Sequence, residues 1–113
     1  MTDNELAVIG ELIRTLPAFE DFNSEMLPEL AATCAEILSQ EDGLETLLGL
    51  VRENLPERLR ETAYLLACDV AAADGEVQQE ELRLLELIRH RLDIDRLSAA
   101  AIERAARARF QTI

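Results

Sequence analysis

The densest chemical pattern in this 113-residue chain is DGEVQQEE, running from Asp74 to Glu81. Asp74 and Gly75 fit the fifth and sixth places of a calcium-binding EF-hand loop, the aliphatic Val77 fits the eighth, and Glu81 fits the twelfth. The first and third places would fall on Val70 and Ala72, neither of which offers an oxygen, so a true EF-hand is excluded. Two readings follow. In one, Asp74, Glu81 and one or two more distant carboxylates hold a divalent cation, because a hard ion needs several oxygens but not from consecutive residues. In the other, Asp74 and Gly75 make a tight turn, Gln78 or Gln79 starts the next helix, and Glu80 and Glu81 face the positive end of its dipole. Spacing alone favours the second.

Asp69 raises a sharper question. It is the one acid in an otherwise apolar stretch, AYLLACDVAAA from Ala63 to Ala73, and an ionised carboxylate there costs several kcal/mol unless paired or hydrogen-bonded. The candidate partners are an arginine from the last helices, backbone N–H groups at a nearby helix start, or a metal shared with the turn. Asp69 and Asp74 are too far apart round a helix to chelate together unless the turn folds back, so a salt bridge or cap is the expected answer. The sole histidine, His90, lies in IRHRL near a helix C-terminus with no cysteine or second histidine at ligand spacing, and is expected to be structural or solvated. Arg104, Arg107 and Arg109 complement the negative end of the last helix or dock onto acidic surface. No nucleophile–base pair, glycine-rich phosphate loop or general-acid pair is visible, so the chain is not expected to be an enzyme, and a hydrolase is the remotest reading.

These residues must be positioned by helices. Hydrophobic spacing is helical throughout, with no strand-like alternation, and the expected fold is an all-α bundle of about six helices in one domain spanning 1–113. The first helix covers about 3 to 16, with Leu6, Ile9, Ile13 and Leu16 on one stripe and Pro17 stopping it. Ser24 opens a second to about residue 40, ended by Glu41-Asp42-Gly43. A third covers about 44 to 54. The fourth, about 56 to 73 with Pro56 in its first turn, is apolar on nearly every face and should be central. A fifth, about 78 to 92, turns Leu82, Leu85, Ile88 and Leu92 inward, and a sixth covers about 96 to 110. Laying the first helix over the fifth matches Glu5, Leu6, Val8, Ile9, Leu12 and Leu16 to Glu81, Leu82, Leu84, Leu85, Ile88 and Leu92, a weak internal repeat in which Met1 falls on Val77.

Composition narrows the partners. The formal net charge is −12, and every base is arginine. Phosphate backbones and anionic membranes would repel such a chain, so nucleic acid is not an expected partner, while cations and basic protein surfaces are. The excess belongs to the first half: residues 1–55 hold twelve acids against two arginines, and residues 56–113 hold eleven against nine. Cys34 and Cys68 are expected to be buried free thiols. No apolar stretch is long enough to span a membrane, and the N-terminus has no basic start followed by an apolar run, so the expected compartment is the cytoplasm.

The stretch ENLPERLRETAYLLACDVAAADGEVQQEELRLLELIRHRLDID resembles the TerB-like family of small all-helical domains associated with bacterial tellurite resistance and chemical-stress operons. ADGEVQQEE after an alanine-rich helix is its most specific part, and ELAVIGELIRTLPAFEDFNSEMLPELAATCAEIL is similar to the linker between the family's two acidic helical hairpins. The resemblance implies a compact helical bundle, cytoplasmic or at the inner face of the membrane, with acids of both hairpins binding metal ions. It also implies work within multiprotein stress-response complexes rather than catalysis. Residue by residue, Asp74, Gly75 and Glu81 match the second acidic motif, Asp69 the acid of the preceding helix, and Glu5 the closing acid of the first motif. The family's first helix and first Asp-Gly turn have no counterpart, which weakens any cation site. It suggests either that Met1 is internal to a longer natural chain or that a trimmed member pairs as a homodimer across the exposed face of its fourth helix. The expected function is thus a non-enzymatic accessory protein of the tellurite response, binding a divalent cation through Asp69, Asp74, Glu81 and Glu5. The alternative is a metal-free interaction module whose acidic half docks a basic partner.

Overall fold

Residues 3–73 and 77–113 are described by the computed structural model, apart from the side chains at positions 3, 5, 6 and 24. The expected Asp74-Gly75 turn therefore lies outside the described residues. Those residues form six α-helices and no strand: α1 (Asp3–Thr15), α2 (Leu27–Leu38), α3 (Gly43–Asn54), α4 (Arg60–Ala72), α5 (Gln79–Arg91) and α6 (Arg96–Arg109). Each matches an expected helix to within a few residues.

Prolines set two of the boundaries. Leu16 is extended, as a residue preceding proline tends to be, and α1 stops at Thr15. Pro56 precedes α4 rather than entering its first turn, because a 3-10 turn at Glu57–Leu59 intervenes. A second 3-10 turn, Ser24–Met26, replaces the helix start expected at Ser24; the Asn23 side chain accepts the Glu25 N–H at 3.1 Å, and α2 begins at Leu27 with Pro28 in its first turn. Proline is tolerated there because that N–H has no partner within the helix.

Between α2 and α3 the chain reverses sharply. Asp42 is left-handed at φ 58°, and the following Gly43 is buried against the end of α2, where a Cβ would collide with the Ile37 carbonyl oxygen and the Leu38 Cα. Glycine is required here for close approach, not for its own dihedral angles.

Helix α4 is the centre of the bundle, packing against α1, α5 and α6. From Thr62 to Ala73 none of its residues is exposed, as its sequence led us to expect. Tyr64, Cys68 and Ala72 recur every fourth residue and form one buried stripe, completed by Leu85, Leu92, Ile94, Ala99 and Ala106. Alanines at positions 72, 99 and 106 let the α4 and α6 backbones come close. Asp95 caps α6, its carboxylate accepting the Ser98 N–H at 2.9 Å, and these hydrogen bonds hold its pKa below the ordinary value.

One inward assignment fails. Leu85 and Leu92 are buried and Ile88 is half-buried, but Leu82 is 50% exposed. Three residues before Leu85, it lies to one side of the α4-facing stripe and edges an open space between α5 and α6. Cys34 is only half-buried, whereas Cys68 is in the core; both are free thiols.

Helix α2 has no buried residue and packs mainly on α3. The hairpin is joined to the rest through α5. Arg91 donates to the Glu45 carboxylate at 2.7 Å, while Arg52 donates to the Arg91 carbonyl at 2.6 Å and pairs with Asp93 at 2.6 Å. Arg52 thus satisfies a carbonyl at the C-terminus of α5, where a cation is favoured.

Candidate functional site

Asp69 sits on α4 beside the buried stripe and is 1% exposed. Its Oδ1 accepts from Arg109 Nε at 3.3 Å, so an arginine from the last helix supplies the counter-charge that burial demands. The Arg109 side chain is 53% exposed and reaches inward from the end of α6. Of the three arginines singled out on that helix, Arg104 and Arg107 stay at the surface.

Glu81 has a local partner. It occupies the third position of α5 and closes a capping box, its Oε1 accepting the Gln78 N–H at 3.4 Å. Gln78 is the N-cap, and Glu80 and Glu81 occupy the first turn, the arrangement in which the acids complement the helix dipole. Asp74 and the side chain of Glu5 lie outside the described residues. Among the described residues no group of three or more His, Cys, Asp or Glu side chains is placed to hold a metal ion. The described part of the expected ligand set thus fits structural roles: Asp69 serves a salt bridge and Glu81 a helix cap. His90 is exposed near the end of α5, 3.9 Å from the Glu86 carboxylate.

Two features emerge only from the structure, although the acids of the first are already legible in the sequence. The first is the surface of the α2–α3 hairpin. Met26, Leu30, Leu38, Leu44 and Leu50 are between 36% and 48% exposed there, and Glu25, Glu29, Glu36, Glu41, Asp42 and Glu45 are exposed on the same hairpin. Periodicity marks such leucines as core, and only the bundle's geometry leaves them uncovered.

The second is a cavity of about 550 Å³ between α4, α5 and α6. Tyr64 and Cys68 line it from α4, Leu82, Leu85 and Arg89 from α5, and Glu103 and Phe110 from α6 and its end. The Tyr64 hydroxyl donates to Glu103 Oε2 at 2.6 Å. Burial, then the hydrogen bond to this carboxylate, pushes the Tyr64 hydroxyl far above the ordinary phenol range. Burial likewise pushes the Cys68 thiol up to about 11, making it a poor nucleophile at neutral pH. The pairs Tyr64–Glu103 and Asp69–Arg109 advance together along both helices, so α4 and α6 run parallel.

Among the described residues no helix is long and apolar enough to cross a membrane. The family model described as tellurite resistance protein TerB matches residues 1–106. No curated protein and no solved structure matches the chain.

Proposed function

The chain belongs to the TerB tellurite-resistance family, and from that premise we propose that it is a non-enzymatic accessory protein of the tellurite and chemical-stress response, acting in the cytoplasm as a helical interaction module. Its acidic first half docks a basic surface of a partner in a stress-response complex. The observation that carries this reading is the α2–α3 hairpin, where half-exposed apolar side chains stand among exposed acids and α2 has no buried residue. Apolar anchors ringed by charge give a partner both a desolvated contact and electrostatic steering. The net charge of −12 opposes direct capture of an oxyanion and favours a basic partner.

The competing reading is a divalent cation held by Asp69, Asp74, Glu81 and Glu5. It requires Asp69 to exchange its arginine, and Glu81 its cap, for an ion. A single set of variants separates the two. Leu30 and Leu38 are 43% and 47% exposed, so replacing both with Glu should leave the helical spectrum and melting temperature close to those of the parent. In a strain lacking the gene, this double variant is expected to lose the tellurite tolerance that the parent restores. Full restoration by the variant would overturn the module reading. A melting temperature that rises with Ca²⁺, Mg²⁺ or Zn²⁺ and no longer rises in Glu81→Gln would establish the cation instead.

A further inference from the structure

We propose that the cavity between α4, α5 and α6 is a binding site for a small organic ammonium, an apolar body carrying one protonated amine. It lies on the second half of the chain, on different helices from the docking hairpin.

The argument begins with Glu103. Its carboxylate is half-buried, and among the described residues it has no cation within ion-pair distance; its partner there is the Tyr64 hydroxyl, bonded to Oε2. That bond uses one oxygen and leaves Oε1 free to accept. The buried acid of α4, Asp69, has its arginine, and Glu61 on the same helix is exposed, so Glu103 is the uncompensated charge at the α4–α6 contact. Tyr64 is 1% exposed, which places the bonded end of Glu103 at the deep end of the space. A partly desolvated carboxylate with a free oxygen attracts a cation more strongly than one in water.

The walls select the rest of the ligand. Ala72, Leu85 and Ala106 are buried and apolar, Phe110 is half-buried at the end of α6, and about 550 Å³ is room for a small molecule but far more than a bare ion needs. A metal ion would also want several oxygens, and although Glu86 lines the space as well, it stands exposed at its edge, and among the described residues no three acids, histidines or cysteines are placed to share an ion. A primary ammonium has three donors, of which Glu103 takes one or two, and its alkyl chain covers the apolar wall. Glu86, Arg89 and Arg107 also line the space, Glu86 and Arg107 exposed at its rim and Arg89 half-buried, so the two rim charges offset one another and the charge that selects a cation is the Glu103 carboxylate held against buried Tyr64.

The test uses the full chain and three probes of equal length: hexylammonium, hexanol and hexanoate. Titration calorimetry and methyl chemical shifts of Ala72, Leu85 and Ala106 read affinity and place. Hexylammonium should shift these methyls and bind at least tenfold more tightly than hexanol, and Glu103→Gln, whose amide oxygen can still accept from Tyr64, should abolish that preference. Leu82→Arg, on the exposed edge of the space, should weaken hexylammonium and strengthen hexanoate without disturbing the core, which keeps the test valid should Glu103→Gln not fold. Tighter binding of hexanoate by the parent, an unchanged preference in both variants, or no methyl response to hexylammonium would each overturn the proposal.

Discussion

Replacing Arg109 by Ala strands the Asp69 carboxylate at 1% exposure without its partner on α6. At 3.3 Å and an effective dielectric of about 20, the attraction removed is about 5 kcal/mol. Much of that attraction only offsets the desolvation of the ions, and the Arg109 side chain is 53% exposed, so water screens it from one side. The expected cost is therefore about 2–3 kcal/mol, below the ~3–5 kcal/mol seen when a fully buried pair loses one member. Asp69→Asn removes the charge that needs a partner and leaves a half-solvated arginine, so it should cost less. Urea unfolding at pH 7 of the parent, Arg109→Ala, Asp69→Asn and the double variant gives the coupling directly. A value of about 2 kcal/mol is expected. Additive single effects, with coupling under ~0.5 kcal/mol, would refute the claim that this pair is what lets α4 carry a charge in the core.

Gly43→Ala forces a Cβ onto the Ile37 carbonyl and should destabilise the α2–α3 hairpin by about 1–3 kcal/mol, while Gly10→Ala, which meets only Arg14 Nη1 at 3.4 Å within α1, should stabilise by roughly 0.5–1 kcal/mol, both read by the same urea unfolding. A thiol reagent at pH 8 should label half-buried Cys34 quickly and Cys68 only as the protein unfolds; two equally fast thiols would contradict the burial of α4. The folded Cys68 holds its proton up to about 11 against an ordinary 9.0, so its contribution to stability is fully present below pH 9 and is lost as pH rises from 9 to 11. Denaturation curves across that window should show a shallower decline in Cys68→Ala than in the parent.

The sequence determined the helices, because their signals are local. The 3.6-residue periodicity, Pro17, Pro28 and Pro56, and the acids at the start of α5 act within a turn or two of where they stand, and the six expected helices are those observed. It also determined that Asp69 needs a partner, since the cost of burying a carboxylate does not depend on the fold. Which partner was a tertiary matter: α4 and α6 lie side by side and parallel, and that places Arg109 rather than Arg104 or Arg107 within reach. The same is true of Glu81, whose spacing favours a helix start over a cation loop without deciding between them until Gln78 is found at the N-cap with Glu81 closing its box. Leu82 and the leucines of α2 and α3 carry the periodicity of core residues, yet a helix packed on one or two neighbours covers only part of its apolar arc, and no property of the helix itself says which part. The Tyr64–Glu103 bond joins residues far apart in sequence and belongs to the same class. Local chemistry made the helices and set their needs, while the packing of α4 against α6 chose which side chains meet them.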